Sequence, residues 1–122
     1  MHSKPKTKPV VWVGSSLKDM QAMPEDVKDT FGFALHIAQS GGKHPDVKPM
    51  KGFSGAGVLE VVESYSGDTF RAVYTVRFTD AIYVLHVFQK KSKRGIETPQ
   101  EEIAKIKLRL DTVEKQHRNT GR

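Results

Sequence analysis

The sequence predicts an α+β protein: one small, mostly antiparallel sheet packed by helices, in the order β-α-α-β-β-β-α. Three observations lead to this fold class. Apolar residues recur at helical spacing near residue 30 and again after residue 100. They alternate, or run continuously, through three segments between residues 58 and 88, and the connections between these segments are short enough for hairpins. The 122 residues suffice for one domain, which we expect over residues 10–118 after a flexible basic tail at residues 1–9.

The first half of the chain predicts a short strand and two helices. The apolar run from Val10 to Val13 is the strand, and Ser16 with Asp19 three residues later resembles a capping box at the start of a short helix. Pro24 suits the first position of a second helix. That helix has an apolar stripe at helical spacing and ends at a glycine pair; these residues are Val27, Phe31, Ala34, Leu35, Ala38 and Gly41–Gly42. Residues 44–57 are rich in proline and glycine, which predicts a loop.

The second half predicts three strands and a final helix. Val58–Ser64 alternates imperfectly, Phe70–Thr79 alternates cleanly, and Ala81–Phe88 is apolar on both faces as in a central strand. The final helix starts at the N-cap signal formed by Thr98, Pro99 and Glu101. Its apolar stripe consists of Ile103, Ile106, Leu110 and Val113. Trp12, Tyr74 and a hydrogen-bonded His86 are expected in the core, whereas His36 is expected to be structural or at the surface.

Composition excludes several classes of protein. The chain has no cysteine, so it has neither disulfides nor thiolate metal ligands. Its five histidines are scattered without ligand spacing, and we expect no metal site and no cofactor. No apolar run approaches the ~20 residues of a membrane span. The basic N-terminus is not followed by the apolar region of a signal peptide, which favours a cytoplasmic protein.

The positive charge is clustered. The net charge is +6 and the isoelectric point about 9.6. Residues 90–94 hold four cations and no acid, and the first nine residues hold Lys4, Lys6 and Lys8 without an acid, whereas the final helix mixes both signs. This distribution favours a surface that binds a polyanion such as nucleic acid. Solubility alone is the alternative explanation of a charge of this size.

No catalytic motif is apparent from spacing, but a basic face is. Arg71 and Arg77 share one side of the strand predicted at Phe70–Thr79. If this strand and the next one pair as a hairpin, its first residues lie at the same end of the sheet as the last residues of the next strand. Other cations of this face are Lys51 in the preceding loop and Lys90, Lys91, Lys93 and Arg94 at the end of the last strand. An arginine and a lysine there could approach one phosphate. Alternatively, the cations protect strand edges from aggregation. Glu60 and Glu63 are expected to be solvated, although one could act as a base if it points into the basic face.

Four stretches resemble a known family. VVWVGSSLKDM, PMKGFSGAGVLEVVE, FRAVYTVRF and YVLHVFQKKSKRGIETPQEEI are similar to RelE/HigB-type toxins of bacterial toxin–antitoxin modules, in the branch associated with phages and plasmids. The resemblance spans Lys8 to about Arg118. It implies a ribonuclease that cuts mRNA in the ribosomal A site and a helix-turn-helix antitoxin encoded by an adjacent gene. Arg71 stands where the family's arginine contacts the scissile phosphate, and Lys90 and Lys91 stand where its further basic residues lie.

The resemblance leaves three functional hypotheses. The first is a metal-independent endoribonuclease with Arg71, Lys90, Lys91 and Glu60 as catalytic candidates; its RNA-binding candidates are Lys51, Arg77, Lys93 and Arg94. The second is a non-catalytic inhibitor of a host protein such as DNA gyrase, because related toxins on this fold poison gyrase. The third is a phage nucleic-acid-binding module. Some relatives have lysines where this chain has Glu60 and Glu63. If Arg71 lies on an exposed strand face, Arg71→Ala should leave stability nearly unchanged.

Overall fold

The computed structural model describes residues 7–53, 55, 57–90 and 98–120 and confirms the α+β fold class. It contains five strands and three helices in this part of the chain. In chain order they are β1 (Val10–Trp12), α1 (Ser16–Gln21), α2 (Glu25–Gln39), β2 (Val47–Pro49), β3 (Val58–Tyr65), β4 (Asp68–Thr75), β5 (Ile82–Lys90) and α3 (Gln100–Thr120). None of these helices is long and apolar enough to cross a membrane.

The strands form one sheet in the order β1-β5-β4-β3-β2. The consecutive strands β2 to β5 pair antiparallel, as expected for hairpins, and β1 joins the edge of β5 in parallel. The strand β2 was not predicted, because Val47–Pro49 lies in a segment whose glycines and prolines indicate a loop. Its pairing with β3 depends on a tertiary contact that local sequence preferences do not report.

The helices cover both faces of the sheet, which produces two core clusters. Phe70, Ala72 and Tyr74 point to the α2 side, and Tyr74 is fully buried as predicted. Val73 points to the opposite side, where Ile106 and other apolar residues of α3 pack on it. Trp12 is partly buried at the edge of the first cluster rather than inside it. The predicted alternation of β4 is therefore confirmed, but the face that carries Arg71 is covered by a helix.

Candidate functional site

A cavity of about 450 Å³ opens between the sheet and the start of α3. We call it the Arg71 pocket. Strands β3 and β4 supply its floor, β2 and the residues just after it form its rim, and the segment that enters α3 closes one side. Its polar lining residues are Lys48, Lys51, Glu60, Arg71, Thr98 and Gln100.

An ion pair lies at the floor of the Arg71 pocket. The Nη1 group of Arg71 donates a hydrogen bond of 2.7 Å to Oε1 of Glu60, and the two side chains are only 6% and 9% exposed. In the antiparallel register, Arg71 lies opposite Val62 and Glu60 lies opposite Val73, so the two side chains are diagonal neighbours on one face. Each charge compensates the other, which a buried charge requires. Arg71 is thus a buried residue, so the premise of an exposed strand face is wrong, and removing its side chain should destabilise the fold.

The lysines near this pair differ in exposure. Lys48 and Lys51 line the pocket from its exposed rim, as the position of Lys51 in the preceding loop suggested. Lys90 lies opposite Thr69 at the end of β5, two residues after Phe88, which lies opposite Arg71. The pleat therefore places Lys90 on the same face as Arg71, and it is 5% exposed. The predicted neighbours Lys91, Lys93 and Arg94 lie outside the described residues.

Arg77 does not join this site. It follows β4 in the connection to β5, and its guanidinium forms an ion pair with Glu114 in the second half of α3 and lies 5.4 Å from the ring centroid of Phe78. The side chain is 47% exposed. The sequence pattern placed both arginines on one strand, but β4 ends at Thr75. Arg77 follows the C-terminal end of β4, whereas the turn that joins β3 to β4 lies at its N-terminal end.

The residues that line the Arg71 pocket lie within a segment of the chain that matches a known protein family. Residues 18–111 match the model of the phage-derived Gp49-like proteins (DUF891), which covers most of the chain. The chain belongs to this family. It is a toxin-like family of toxin–antitoxin systems. No curated protein and no solved structure matches the chain significantly.

The Gp49-like chain has a second polar cluster that sequence reasoning found only in part. His86 was expected to be a hydrogen-bonded core histidine, and it is 3% exposed with Nε2 at 2.6 Å from Oε1 of Glu102. Arg109, two turns further along α3, bonds the carbonyl oxygen of Leu85 and approaches Nδ1 of His86 at 3.3 Å. Because a guanidinium only donates, Nδ1 accepts and Nε2–H donates to Glu102. Glu102 and Arg109 are seven residues apart and therefore lie on one face of the helix, which was the only signal in the sequence that both could contact the same strand residue.

Burial governs the electrostatics of this second cluster. Burial lowers the pKa of His86, and the positive charges of Arg109 and Lys105 act in the same direction, whereas Glu102 opposes them. The neutral ring stacks on Phe88 with centroids 4.6 Å apart. His86 and Glu102 also line a groove of about 620 Å³ beside α1. Since Glu102 lies in the first turn of α3, its bond to His86 fixes the helix end that walls the Arg71 pocket.

The left-handed backbone after β1, which packs closely against Arg109, favours a glycine. Gly14 has a left-handed φ of +58°, and a Cβ built on it would lie 2.6 Å from Nε of Arg109. The Arg109 side chain continues to Ser15, whose Oγ accepts a bond of 3.2 Å, and Ser15 donates to Asp19 at 2.8 Å. This chain of contacts joins α3 to the start of α1 across the end of β1.

A third cluster lies near Arg77. His117 on α3 bonds Oδ1 of Asp80 at 3.1 Å, and Tyr83 donates to Oδ2 of the same carboxylate at 2.9 Å. The bond from His117 to the carbonyl oxygen of Val113, and then its bond to Asp80, raise the pKa of His117. Burial and the Asp80 carboxylate raise the pKa of Tyr83 to about 12. This cluster holds the end of α3 on the β4–β5 connection.

Among the described residues, no group of three or more acidic or histidine side chains is placed to hold a metal ion.

Proposed function

We propose that this Gp49-like protein is the toxin of a toxin–antitoxin module and that it cleaves mRNA on the ribosome, as its resemblance to RelE/HigB-type toxins implies. The observation that carries this proposal is the Arg71 pocket, in which a buried arginine and a carboxylate lie behind a rim of exposed lysines. A buried guanidinium is held in place before the substrate arrives. Such preorganisation is what stabilises developing charge in a transition state.

The proposed chemistry uses side chains, the RNA itself and a proton from solvent. The 2′-oxygen attacks the adjacent phosphorus while its proton passes to the Glu60 carboxylate. The bond from phosphorus to the 5′-oxygen breaks, and that oxygen takes a proton from solvent, which leaves a 2′,3′-cyclic phosphate and a free 5′-hydroxyl. Arg71 stabilises the charge on the nonbridging oxygens with its planar donors. Lys48 and Lys51 attract the flanking phosphates. The requirement for a 2′-hydroxyl makes the reaction specific for RNA.

A cell-based comparison tests this function. The chain and its Arg71→Lys variant are expressed, RNA 5′ ends are mapped, and DNA-damage markers are followed. We expect cuts in translated mRNA for the parent and at least about 10²-fold fewer for the variant, since losing one oriented transition-state donor costs about 10²–10³-fold in rate. Lysine keeps the charge but cannot present the guanidinium fork.

Lys28→Gln is the matched control, because Lys28 lies on α2, on the opposite side of the sheet, where it is half-buried and pairs with the exposed Glu25. It should cut like the parent. A DNA-damage response with intact mRNA would support the gyrase-type inhibitor instead. Normal growth with neither RNA cuts nor a DNA-damage response would support the third hypothesis, a nucleic-acid-binding module.

The same proposal implies a partner and a compartment. A ribonuclease that acts on ribosomes works in the cytoplasm and must be neutralised there. We propose that the partner is a small helix-turn-helix antitoxin encoded by an adjacent gene. Co-expression of the neighbouring gene product should yield a stable complex and relieve growth arrest. Absence of both effects would reject this partner.

A further inference from the structure

The charge of the Arg71 pocket restricts the phosphates that it can accept. Arg71 and Glu60 form a pair with no net charge at the pocket floor, and both are more than nine-tenths buried. The two lysines that line the pocket lie at its exposed rim, where solvent and salt screen them. An anion that reaches Arg71 therefore also meets the Glu60 carboxylate, whose oxygen is 2.7 Å from the guanidinium nitrogen.

We infer that Glu60 is a specificity-determining residue that makes the pocket select internal phosphodiesters over terminal phosphates. This inference rests on the proposed function and deepens it. An internal phosphodiester has one negative charge, and in RNA its neighbouring 2′-hydroxyl can donate a hydrogen bond to Glu60. A terminal phosphate has a second ionisation near pH 6, so at neutral pH it brings nearly two charges against the same carboxylate. Like charges placed together at an interface are strongly unfavourable.

The selectivity has a consequence for competing ligands in the cell. An uncut strand presents a monoanionic diester with a 2′-hydroxyl to the pocket. The cyclic phosphate left by cleavage has lost that hydroxyl, and its hydrolysis to a terminal phosphate adds a second charge. Both products should therefore bind less tightly than the substrate. The pocket should also ignore free mononucleotides, which are abundant competitors for any cationic site.

Two matched ligands test the inference without any cleavage. One is a deoxydinucleoside monophosphate, which has a single internal diester and no 2′-hydroxyl to react. The other is the corresponding deoxynucleoside 3′-monophosphate, which is a dianion at about pH 8. Titrations of the full chain followed by NMR should show the diester binding about tenfold more tightly than the monoester, the effect expected of one adjacent like charge.

Two variants test whether the Glu60 carboxylate causes the preference for the diester. Glu60→Gln removes a charge that repels both anions. It should therefore raise both affinities, and raise that of the monoester about tenfold more than that of the diester, so that the preference disappears. Glu63→Gln is the control, because Glu63 is on the same strand but opposite Phe70, which points to the α2 side. It should keep the parental preference. If Glu60→Gln fails to fold, the two ligands still test the preference in the parent chain.

The outcomes separate the two proposals. Equal affinities for both ligands in the parent chain would overturn the role of Glu60 while leaving RNA cleavage at Arg71 intact. A Glu60→Gln protein that folds and keeps the parental preference would overturn that role in the same way. If neither ligand binds the parent chain, the Arg71 pocket is not an anion site, and both this inference and the proposed catalytic site fail.

Discussion

An arginine–glutamate pair lies near each end of α3, on the side of the sheet that this helix covers, and the two pairs differ in burial. Arg71 and Glu60 are 6% and 9% exposed, whereas Arg77 and Glu114 are 47% and 26% exposed. Both arginines come from one short stretch of sequence with the same alternation. Burial, rather than residue type, therefore separates a preorganised site from a surface contact.

The two histidines that anchor α3 differ in the same way. His86 near the Arg71 pocket is buried, and burial lowers its pKa. His117 near Arg77 is more exposed, and its hydrogen bonds to Val113 and Asp80 raise its pKa. The two ends of the helix should therefore respond to acidification in opposite directions.

The largest expected difference between the ends is in stability. Arg71→Ala leaves Glu60 as a buried charge without its guanidinium and should cost about 3–5 kcal/mol of unfolding free energy. Arg77→Ala removes an exposed pair and should cost about 0–1 kcal/mol. Urea denaturation of both variants measures the two values. Similar losses from the two substitutions would mean that burial does not distinguish the ends.

The next effect is the acid sensitivity due to His86. Its folded-state pKa is lowered, so the unfolded chain binds the proton first, and the stability contributed by neutral His86 is lost as pH falls below about 6.5. His86→Gln should remove this part of the pH dependence. Unfolding free energies of parent and variant between about pH 5 and 8 give the difference. A difference that does not change with pH would contradict the assignment.

A smaller effect of opposite sign is expected for His117. Its folded-state pKa is raised, so its contribution is fully present below about pH 6.5 and is lost as pH rises through the folded-state value. His117→Gln should therefore destabilise the chain at acidic pH more than at alkaline pH. The same denaturation series measures it. If both histidine variants change with pH in the same direction, the two ends of α3 do not differ as described.

The smallest effect concerns the basic tail. Lys8 is tied to the body of the protein, since its backbone N–H donates to Gln39 and its Nζ donates to the carbonyl oxygen of Phe78 at 2.9 Å. Lys4 and Lys6 lie outside the described residues. Deleting Met1–Lys6 should leave the unfolding free energy unchanged and flatten the salt dependence of RNA binding, because fewer counterions are released. An unchanged slope would assign the tail to solubility.

Periodicity predicted most of the fold because it reports which face of each element is buried. The clean alternation of β4 and the apolar stripes of α2 and α3 correspond to the two core clusters. Local pattern failed where pairing depended on distant residues. Val47–Pro49 became a strand only because β3 offers it an edge, and the strand predicted to Thr79 ends at Thr75.

Within the candidate site, the sequence determined the residue types and the strand face but not the environment. Arg71, Glu60 and Lys51 were all candidates, and the resemblance to toxins singled out Arg71. The β3–β4 register joined Arg71 to Glu60, the start of α3 closed one side of their pocket, and Arg77 was left at the other end of the helix. Alternation along a strand specifies the side on which a residue lies, whereas the desolvation that makes a charge pair matter depends on which distant element packs on that side.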